Sequence, residues 1–94
     1  MVNAFVLLSV ERTQIERIAD SLSSLPHVAE VYSVSGRFDI VAIIRVADVE
    51  TLSNVVTHDM LSIQGITHSE TMLAFRAYSR HDLERLFSIG AEAI

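Results

Sequence analysis

Residues 31–46 read Val-Tyr-Ser-Val-Ser-Gly-Arg-Phe-Asp-Ile-Val-Ala-Ile-Ile-Arg-Val, and this stretch decides the fold. Two arms rich in apolar and β-branched residues flank Ser35-Gly36-Arg37, the only turn chemistry in the segment. Arms of this kind around a glycine-containing turn are typical of a β-hairpin. The segment therefore predicts two antiparallel strands, one from about Val28 to Ser35 and the other from Phe38 to Val46.

The chain before the hairpin predicts a strand and then a helix. Residues 4–10 form a short apolar run that is typical of a buried strand. Thr13 and Glu16 have the spacing of a capping box, which predicts a helix start at Thr13, and Pro26 ends the helix. The apolar residues between these points recur on one helical face: Ile15, Ile18, Ala19, Leu22 and Leu25.

The chain after the hairpin repeats the pattern of helix and strand. Asp48 is a candidate N-cap for a second helix over 49–63, and Gly65 follows the end of that helix. Residues 66–78 alternate as a strand. We expect 1–78 to be one domain and 79–94 to be a short C-terminal helix or tail.

The element order βαββαβ predicts an α+β fold of the ferredoxin-like type. In this fold a four-stranded antiparallel sheet carries two helices on one face. The first and third strands have apolar residues on both faces, since Phe5 and Leu7 oppose Ala4, Val6, Leu8 and Val10, and Val41 and Ile43 oppose Ile40, Ala42 and Ile44. Two helices can cover only one of these faces. Monomers rarely expose large apolar patches. We therefore expect a homodimer packed sheet against sheet, a dimeric α+β sandwich or barrel.

Composition excludes several classes of function. A chain of 94 residues is one domain in length, and its net charge of −5 disfavours binding to nucleic acid. Cysteine is absent and all seven basic residues are arginine, which excludes disulfides, thiolate metal sites, Schiff-base lysines and phosphate-loop lysines. No signal peptide or membrane-spanning run is apparent, so we expect a cytoplasmic protein with no membrane partner.

The hairpin resembles that of a known family. Val34-Ser35-Gly36-Arg37-Phe38-Asp39, with its apolar strand, is similar to the effector-binding (RAM) domain of the Lrp/AsnC family of leucine-responsive regulators. The resemblance continues through Ile63-Gln64-Gly65-Ile66 to Thr71 and covers roughly residues 4–78. Regulators of this family carry a winged helix-turn-helix before this domain, whereas the first strand here begins at Ala4.

The resemblance implies a stand-alone ligand-binding domain without a DNA-binding domain. Such a domain would bind an amino acid or a related small-molecule effector and act in transcriptional regulation of amino-acid metabolism. It would form homodimers that assemble into a ring of dimers, and it could co-assemble with a full-length Lrp/AsnC regulator. No cofactor is implied.

Three of the site residues that the resemblance implies lie in the hairpin, namely Ser33, Gly36 and Asp39, and the charge of Arg37 beside Gly36 makes it a fourth candidate. Backbone N–H groups around Gly36 can approach an α-carboxylate, and Arg37 could pair with it bidentately. Asp39 would take the α-ammonium. Simpler roles stay open, since Gly36 also suits a turn that needs positive φ, and Asp39 could pair with Arg37 or cap the hairpin.

The other implied site residues lie in the last strand. Thr71 would exchange a hydrogen bond with the effector, and Leu73 and Ala74 would line its side chain. Thr71 is equally consistent with an ordinary strand threonine. The effector would sit between subunits, so that its binding biases assembly.

We do not expect an enzyme or a metal site. The four histidines lie on separate predicted elements, and Ser79-Arg80-His81-Asp82 cannot hold the geometry of a catalytic triad. Two alternatives remain. One is a small dimeric α+β barrel enzyme of the monooxygenase or isomerase kind, although Trp is absent. The other is a structural partner that co-assembles with a full-length regulator without binding a metabolite.

Overall fold

Four strands and two helices follow one another in the order βαββαβ within residues 1–78, the part of the chain that the computed structural model describes. This order confirms the prediction, whereas the expected helix in 79–94 lies outside the described residues. The elements are β1 (Val2–Val10), α1 (Ile15–Ser23), β2 (Val28–Ser33), β3 (Ile40–Val46), α2 (Val49–Asn54) and β4 (Ile66–Ala74).

The strands form one antiparallel sheet in the order β2-β3-β1-β4. The central pair, β1 and β3, runs in continuous register from Val2 opposite Val46 to Leu8 opposite Ile40. β2 and β4 are therefore the two edges of the sheet. The predicted ferredoxin-like α+β fold is confirmed.

Alternate residues of the central strands face the helices and form the core. Side chains of β1 and β3 that point to this side are at most 6% exposed. Ile18 and Leu22 of α1 and Leu52 of α2 pack against them from the helix layer. Burial of apolar side chains on this side supplies the main driving force for the fold. The strand residues concerned are Ala4, Val6, Leu8, Val10, Ile40, Ala42, Ile44 and Val46.

The opposite side of the sheet, which we call the open face, is apolar but uncovered in the described chain. By register it carries Phe5 and Leu7 of β1, Val41 and Ile43 of β3, and Met72 of β4. Phe5 is 37% exposed and Met72 is 53% exposed, while the other three are half-buried. The predicted uncovered apolar face is therefore present.

The predicted capping box of the first helix is wrong. A tight 3-10 turn over Arg12–Gln14 precedes α1, which begins at Ile15, and no side-chain cap bond is formed at either start. Glu11 has the extended conformation of a cap residue, and its carbonyl accepts the Gln14 N–H at 2.8 Å. Thr13 lies inside the turn, so its hydroxyl is not placed where an N-cap hydroxyl would be.

The second helix begins as predicted but ends early. Asp48 is its N-cap, since Asp48 Oδ1 accepts the Thr51 N–H at 2.7 Å. Hydrogen bonding by Thr51 also lowers the pKa of the Asp48 carboxyl below its ordinary value of 3.8. The α-helical part ends at Asn54, and a wider π-helical turn follows over Val55–Asp59. The predicted helix over 49–63 therefore changes its geometry halfway.

Two glycines adopt positive φ and allow a matched test of the fold. Gly36 in the hairpin has φ +110° and nothing within 4 Å of where a Cβ would be. Gly65, before β4, has φ +101°, and its Cβ would lie 2.8 Å from Ile18 Cδ1. Positive φ makes any side chain unfavourable at both positions, but only at Gly65 would a Cβ also clash with a core residue.

We expect Gly65→Ala to lower the free energy of unfolding by roughly 2–4 kcal/mol, since backbone strain and overpacking add. Gly36→Ala should cost only about 1 kcal/mol, because the strain is not accompanied by a clash. Urea unfolding followed by circular dichroism measures both changes. Equal losses would contradict the assigned contact between residue 65 and the helix layer.

Candidate functional site

The β2–β3 hairpin ends in a four-residue loop over 35–38. The loop is closed by a hydrogen bond from the Val34 N–H to the Asp39 carbonyl at 2.9 Å. Both strands are shorter than predicted, since β2 ends at Ser33 and β3 begins at Ile40. Ser33, Gly36 and Arg37 are all exposed. The hairpin therefore presents its tip to solvent.

Backbone N–H groups of this loop remain available to a ligand. Within the described chain, those of Gly36, Arg37 and Phe38 donate to no other backbone or side-chain group. Successive unpaired N–H groups in a turn form a concave site that attracts anions. Open space in front of Gly36 lets a ligand approach this backbone closely.

Asp39 holds the base of the hairpin to the end of β1. Its Oδ2 accepts the Val10 N–H at 2.9 Å, and its own N–H donates to the Leu8 carbonyl at 2.9 Å. Val10 lies just after the irregularity between Ser9 and Val10 in the pairing of β1 with β4. No ion pair joins Asp39 to Arg37 among residues 1–78. The first structural role of this carboxylate is therefore to fix the loop.

The loop is also held by an aromatic contact with the far edge of the sheet. The rings of Phe38 and His68 stack with centroids 6.4 Å apart and an interplanar angle of 15°. His68 belongs to β4 and lies 3.6 Å from Glu70 through Nε2 and Oε1. Phe38 precedes β3 and is half-buried, and its ring contacts His68.

The predicted residues of the last strand lie beside α2. By register Thr71 pairs with Val6 and Leu73 with Ala4, so both point to the helix side, whereas Ala74 points to the open face. Because α2 is short, it leaves this side of β4 exposed. A shallow cleft of about 230 Å³, which we call the α2/β4 groove, results. It is lined by Val49, Leu52, Ser53, Val56, Thr57 and Thr71.

The two predicted groups do not meet within one chain. Ser33 lies at the end of β2 and Gly36 and Arg37 lie in the loop, whereas Asp39 is bonded to the end of β1, next to β4. Thr71, Leu73 and Ala74 lie on β4, further along the sheet from the hairpin, since Thr71 is opposite Val6. β2 and β4 are three interstrand spacings apart, which is about 14 Å. A small ligand held by the tip of the hairpin and by Thr71 at once would therefore contact two different subunits.

Sequence reasoning missed part of these surroundings. The Val10 N–H, which Asp39 engages, is a backbone group and carries no residue signal. Val49, Leu52 and Val56, which line the groove with Thr71, follow the apolar period of a helix. That period does not show which of these residues the core leaves exposed. The described residues contain no cluster of three His, Asp or Glu side chains that could hold a metal ion.

Comparison with known proteins agrees with this geometry. The family model of the Lrp/AsnC ligand binding domain matches residues 3–83. The chain belongs to this family. Relatives of this Lrp/AsnC domain are named as transcriptional regulators rather than enzymes, which agrees with the expectation that the chain is not an enzyme.

One curated relative is the HTH-type transcriptional regulator FL11 of Pyrococcus furiosus, which is 33% identical over 76 residues. The match covers 80% of this chain and 49% of FL11, so the chain spans about half the length of this relative. Among solved structures, TTHA0845 from Thermus thermophilus has a TM-score of 0.80 and 48% identity, with 85% of this chain and 100% of that chain covered.

A further solved structure is the complex of the transcriptional regulator NMB0573 with L-Met from Neisseria meningitidis. Its TM-score is 0.75 and its identity 20%, with 84% of this chain and 53% of that chain covered. At this identity the likeness shows a shared fold. No helix among residues 1–78 is long and apolar enough to cross a membrane.

Two substitutions at Asp39 test its role in the Lrp/AsnC hairpin. Asp39→Ala leaves the N–H of the buried Val10 without an acceptor, and we expect it to lower the free energy of unfolding by about 1–3 kcal/mol. Asp39→Asn keeps an acceptor oxygen and should cost less than half as much. Urea unfolding at neutral pH measures both. Similar losses in the two variants would show that the bond to Val10 is not what Asp39 contributes.

Proposed function

We propose that this Lrp/AsnC domain is an amino-acid sensor that converts effector binding into subunit assembly for transcriptional regulation of amino-acid metabolism. The effector would lie between the hairpin of one subunit and the α2/β4 groove of another. The observation that carries the proposal is the distance between the tip of the hairpin and the candidate residues of the edge strand β4. We further propose that the protein works in the cytoplasm, where free amino acids and regulators meet.

The hairpin has the chemistry to hold the effector's α-carboxylate. The free N–H groups around Gly36 point to an anion site, and the exposed guanidinium of Arg37 lies next to them in sequence. Asp39 uses Oδ2 for the Val10 N–H, and Oδ1 has no hydrogen-bond partner within the described chain. That second oxygen is the proposed contact for the α-ammonium, and Ser33 borders the same edge.

The α2/β4 groove suits the effector's side chain. Its walls include Leu52 and Val56, while the Thr71 hydroxyl provides a hydrogen-bonding group at its border. Leu73 is 42% exposed beside it, and Ala74 lies at the end of the same strand. A volume of about 230 Å³ favours a compact, largely apolar side chain. The bound L-Met in the NMB0573 complex supports an amino acid as the ligand class.

The open face is the proposed contact of the basic dimer. An apolar centre with a polar rim is typical of protein interfaces. At one rim the Tyr32 hydroxyl donates to Glu30 Oε2 at 2.9 Å, and this contact raises the pKa of Tyr32. Dimers formed through this face leave the hairpin and the α2/β4 groove free at the periphery, where further dimers could join them into a ring.

A charge placed on the open face should break the dimer. We expect Phe5→Glu to weaken self-association at least about tenfold, since dimerisation would bury an unpaired carboxylate. Leu61→Glu is the matched control, because Leu61 is also an exposed apolar residue, at 66%, but lies outside the open face. Sedimentation velocity measures association, and circular dichroism verifies that each variant is folded. Equal association of both variants would contradict the proposed interface.

A mixing experiment tests whether the effector site is shared between subunits. One variant, Arg37→Gln with Asp39→Asn, disables the hairpin, and the other, Thr71→Val with Leu73→Ala, disables the groove. We expect neither variant alone to bind an amino acid from an equimolar mixture of the twenty. After the two are unfolded together and refolded, about one quarter of the sites should be restored, because some interfaces combine an intact hairpin with an intact groove.

Native mass spectrometry reads subunit number and bound mass in the same experiment. Thr67→Val serves as the control on β4, since Thr67 lies outside the predicted site. Absence of recovery after mixing, with full binding by wild type, would mean that the site is not divided between subunits. If the wild-type protein binds no amino acid, the proposed sensing function is wrong, and co-assembly with a full-length regulator is the remaining candidate.

That second role, co-assembly with a full-length regulator, is supported by one observation. The chain spans about half of the regulators it matches, and the matched half contains the ligand-binding domain. Both helices of residues 1–78 pack on the sheet, so the described chain offers no helix-turn-helix. The described domain could join a full-length regulator through the open face, the surface that we propose for the dimer.

A further inference from the structure

A second cleft, which is polar, lies at the end of β1 and shares no lining residue with the α2/β4 groove. It has a volume of about 540 Å³ and is lined by Glu11, Gln14, Arg17, Gln64 and Gly65. Its walls come from the turn between β1 and α1, from Arg17 in the first turn of α1, and from the loop before β4. All five residues belong to one chain, whereas the effector site proposed above needs two subunits.

The guanidinium of Arg17 is held in place before any ligand binds. Its Nε donates to Gln14 Oε1 at 2.5 Å, and its Nη2 donates to the Gln64 carbonyl at 2.7 Å. A Cβ on residue 65 would lie 3.2 Å from Arg17 Nη2, so glycine there leaves room for the guanidinium against the backbone. Two of its five N–H donors are used, and the pair of terminal nitrogens can still hold a carboxylate.

The cleft contains opposite charges that do not pair with each other. Among residues 1–78, neither Glu11 nor Arg17 forms an ion pair, so the two charged groups are more than about 4 Å apart. The side-chain amides of Gln14 and Gln64 stand at the same cleft. A simple anion would be repelled by Glu11, and a simple cation by Arg17. Separated, uncompensated charges of both signs match a ligand that carries both.

We propose that this cleft binds the zwitterionic head of a free amino acid. The carboxylate would lie on the terminal nitrogens of Arg17, and the ammonium would lie on Glu11 with help from a glutamine amide oxygen. Anchoring of Arg17 by Gln14 and the Gln64 carbonyl reduces the ordering that binding would otherwise require. The lining has little apolar surface, so the site would recognise the head group and discriminate weakly between side chains.

The test is titration of ¹⁵N-labelled protein, with the amides of Gln64 and Gly65 as reporters. The background is the variant Arg37→Gln with Thr71→Val, which disables the intersubunit site and thereby separates this proposal from the proposed function. Glycine at millimolar concentration should shift the reporters saturably, with one site per chain. Acetate and methylamine, which each carry one charge of the zwitterion, should bind at least about tenfold more weakly.

Substitutions then assign the contacts. Arg17→Gln and Glu11→Gln should each weaken glycine binding about tenfold or more, and Arg17→Lys should restore part of the loss. Arg12→Gln is the matched control, since Arg12 is a neighbouring exposed arginine outside the cleft lining. The proposal is overturned if glycine leaves the reporters unmoved, if acetate binds as tightly as glycine, or if Arg12→Gln and Arg17→Gln have equal effects. Thermal unfolding of each variant shows whether a loss of binding reflects a loss of fold.

Discussion

The pairing of β1 with β3 is the interaction on which the rest of the structure depends. Its register places Ala4, Val6 and Leu8 on the same side as Ile40, Ala42 and Ile44, so one side of the central strands is continuously apolar. Two short helices cover that side and no more. Because the other residues of these strands are also largely apolar, the sheet retains a second apolar surface that the described chain does not cover. Because α2 is short, the helix side of β4 is also left exposed beside it.

One end of the sheet is where three connections are tied together. Asp39 joins the hairpin to Val10, and the next residue along the chain, Glu11, donates its N–H to the Gly65 carbonyl at 2.9 Å. Arg17 then joins the start of α1 to the Gln64 carbonyl. A ligand that changes the hairpin would therefore act on a segment bonded to β1, and the end of β1 is bonded in turn to the loop that leads into β4. Both proposed ligand sites use groups from these connections.

The sequence was sufficient for the order of elements because burial and period carry that information. Alternation in β1 and β3, the Asp48 cap and the glycine turns all correspond to features of the structure. The sequence was not sufficient where a backbone hydrogen bond decides the local structure. The Thr13 cap was lost to a 3-10 turn closed by the Glu11 carbonyl, which no side-chain spacing reveals. For the candidate site, the resemblance supplied most of the residues, but only the strand order and register show that the hairpin tip and the β4 residues are apart.

The separation of the hairpin tip from the candidate residues of β4 determines how a ligand could change assembly. A ligand bound within one subunit changes assembly only if it first changes the shape of that subunit. A ligand that bridges the hairpin of one subunit and the groove of another contributes its binding free energy directly to the contact between them, with no conformational change required. The more rigid the hairpin, the less of that free energy is spent on ordering it. In the proposed intersubunit site, the bond from Asp39 to Val10 would serve regulation as well as stability, because it would hold the loop ready for a ligand that arrives with the neighbouring subunit.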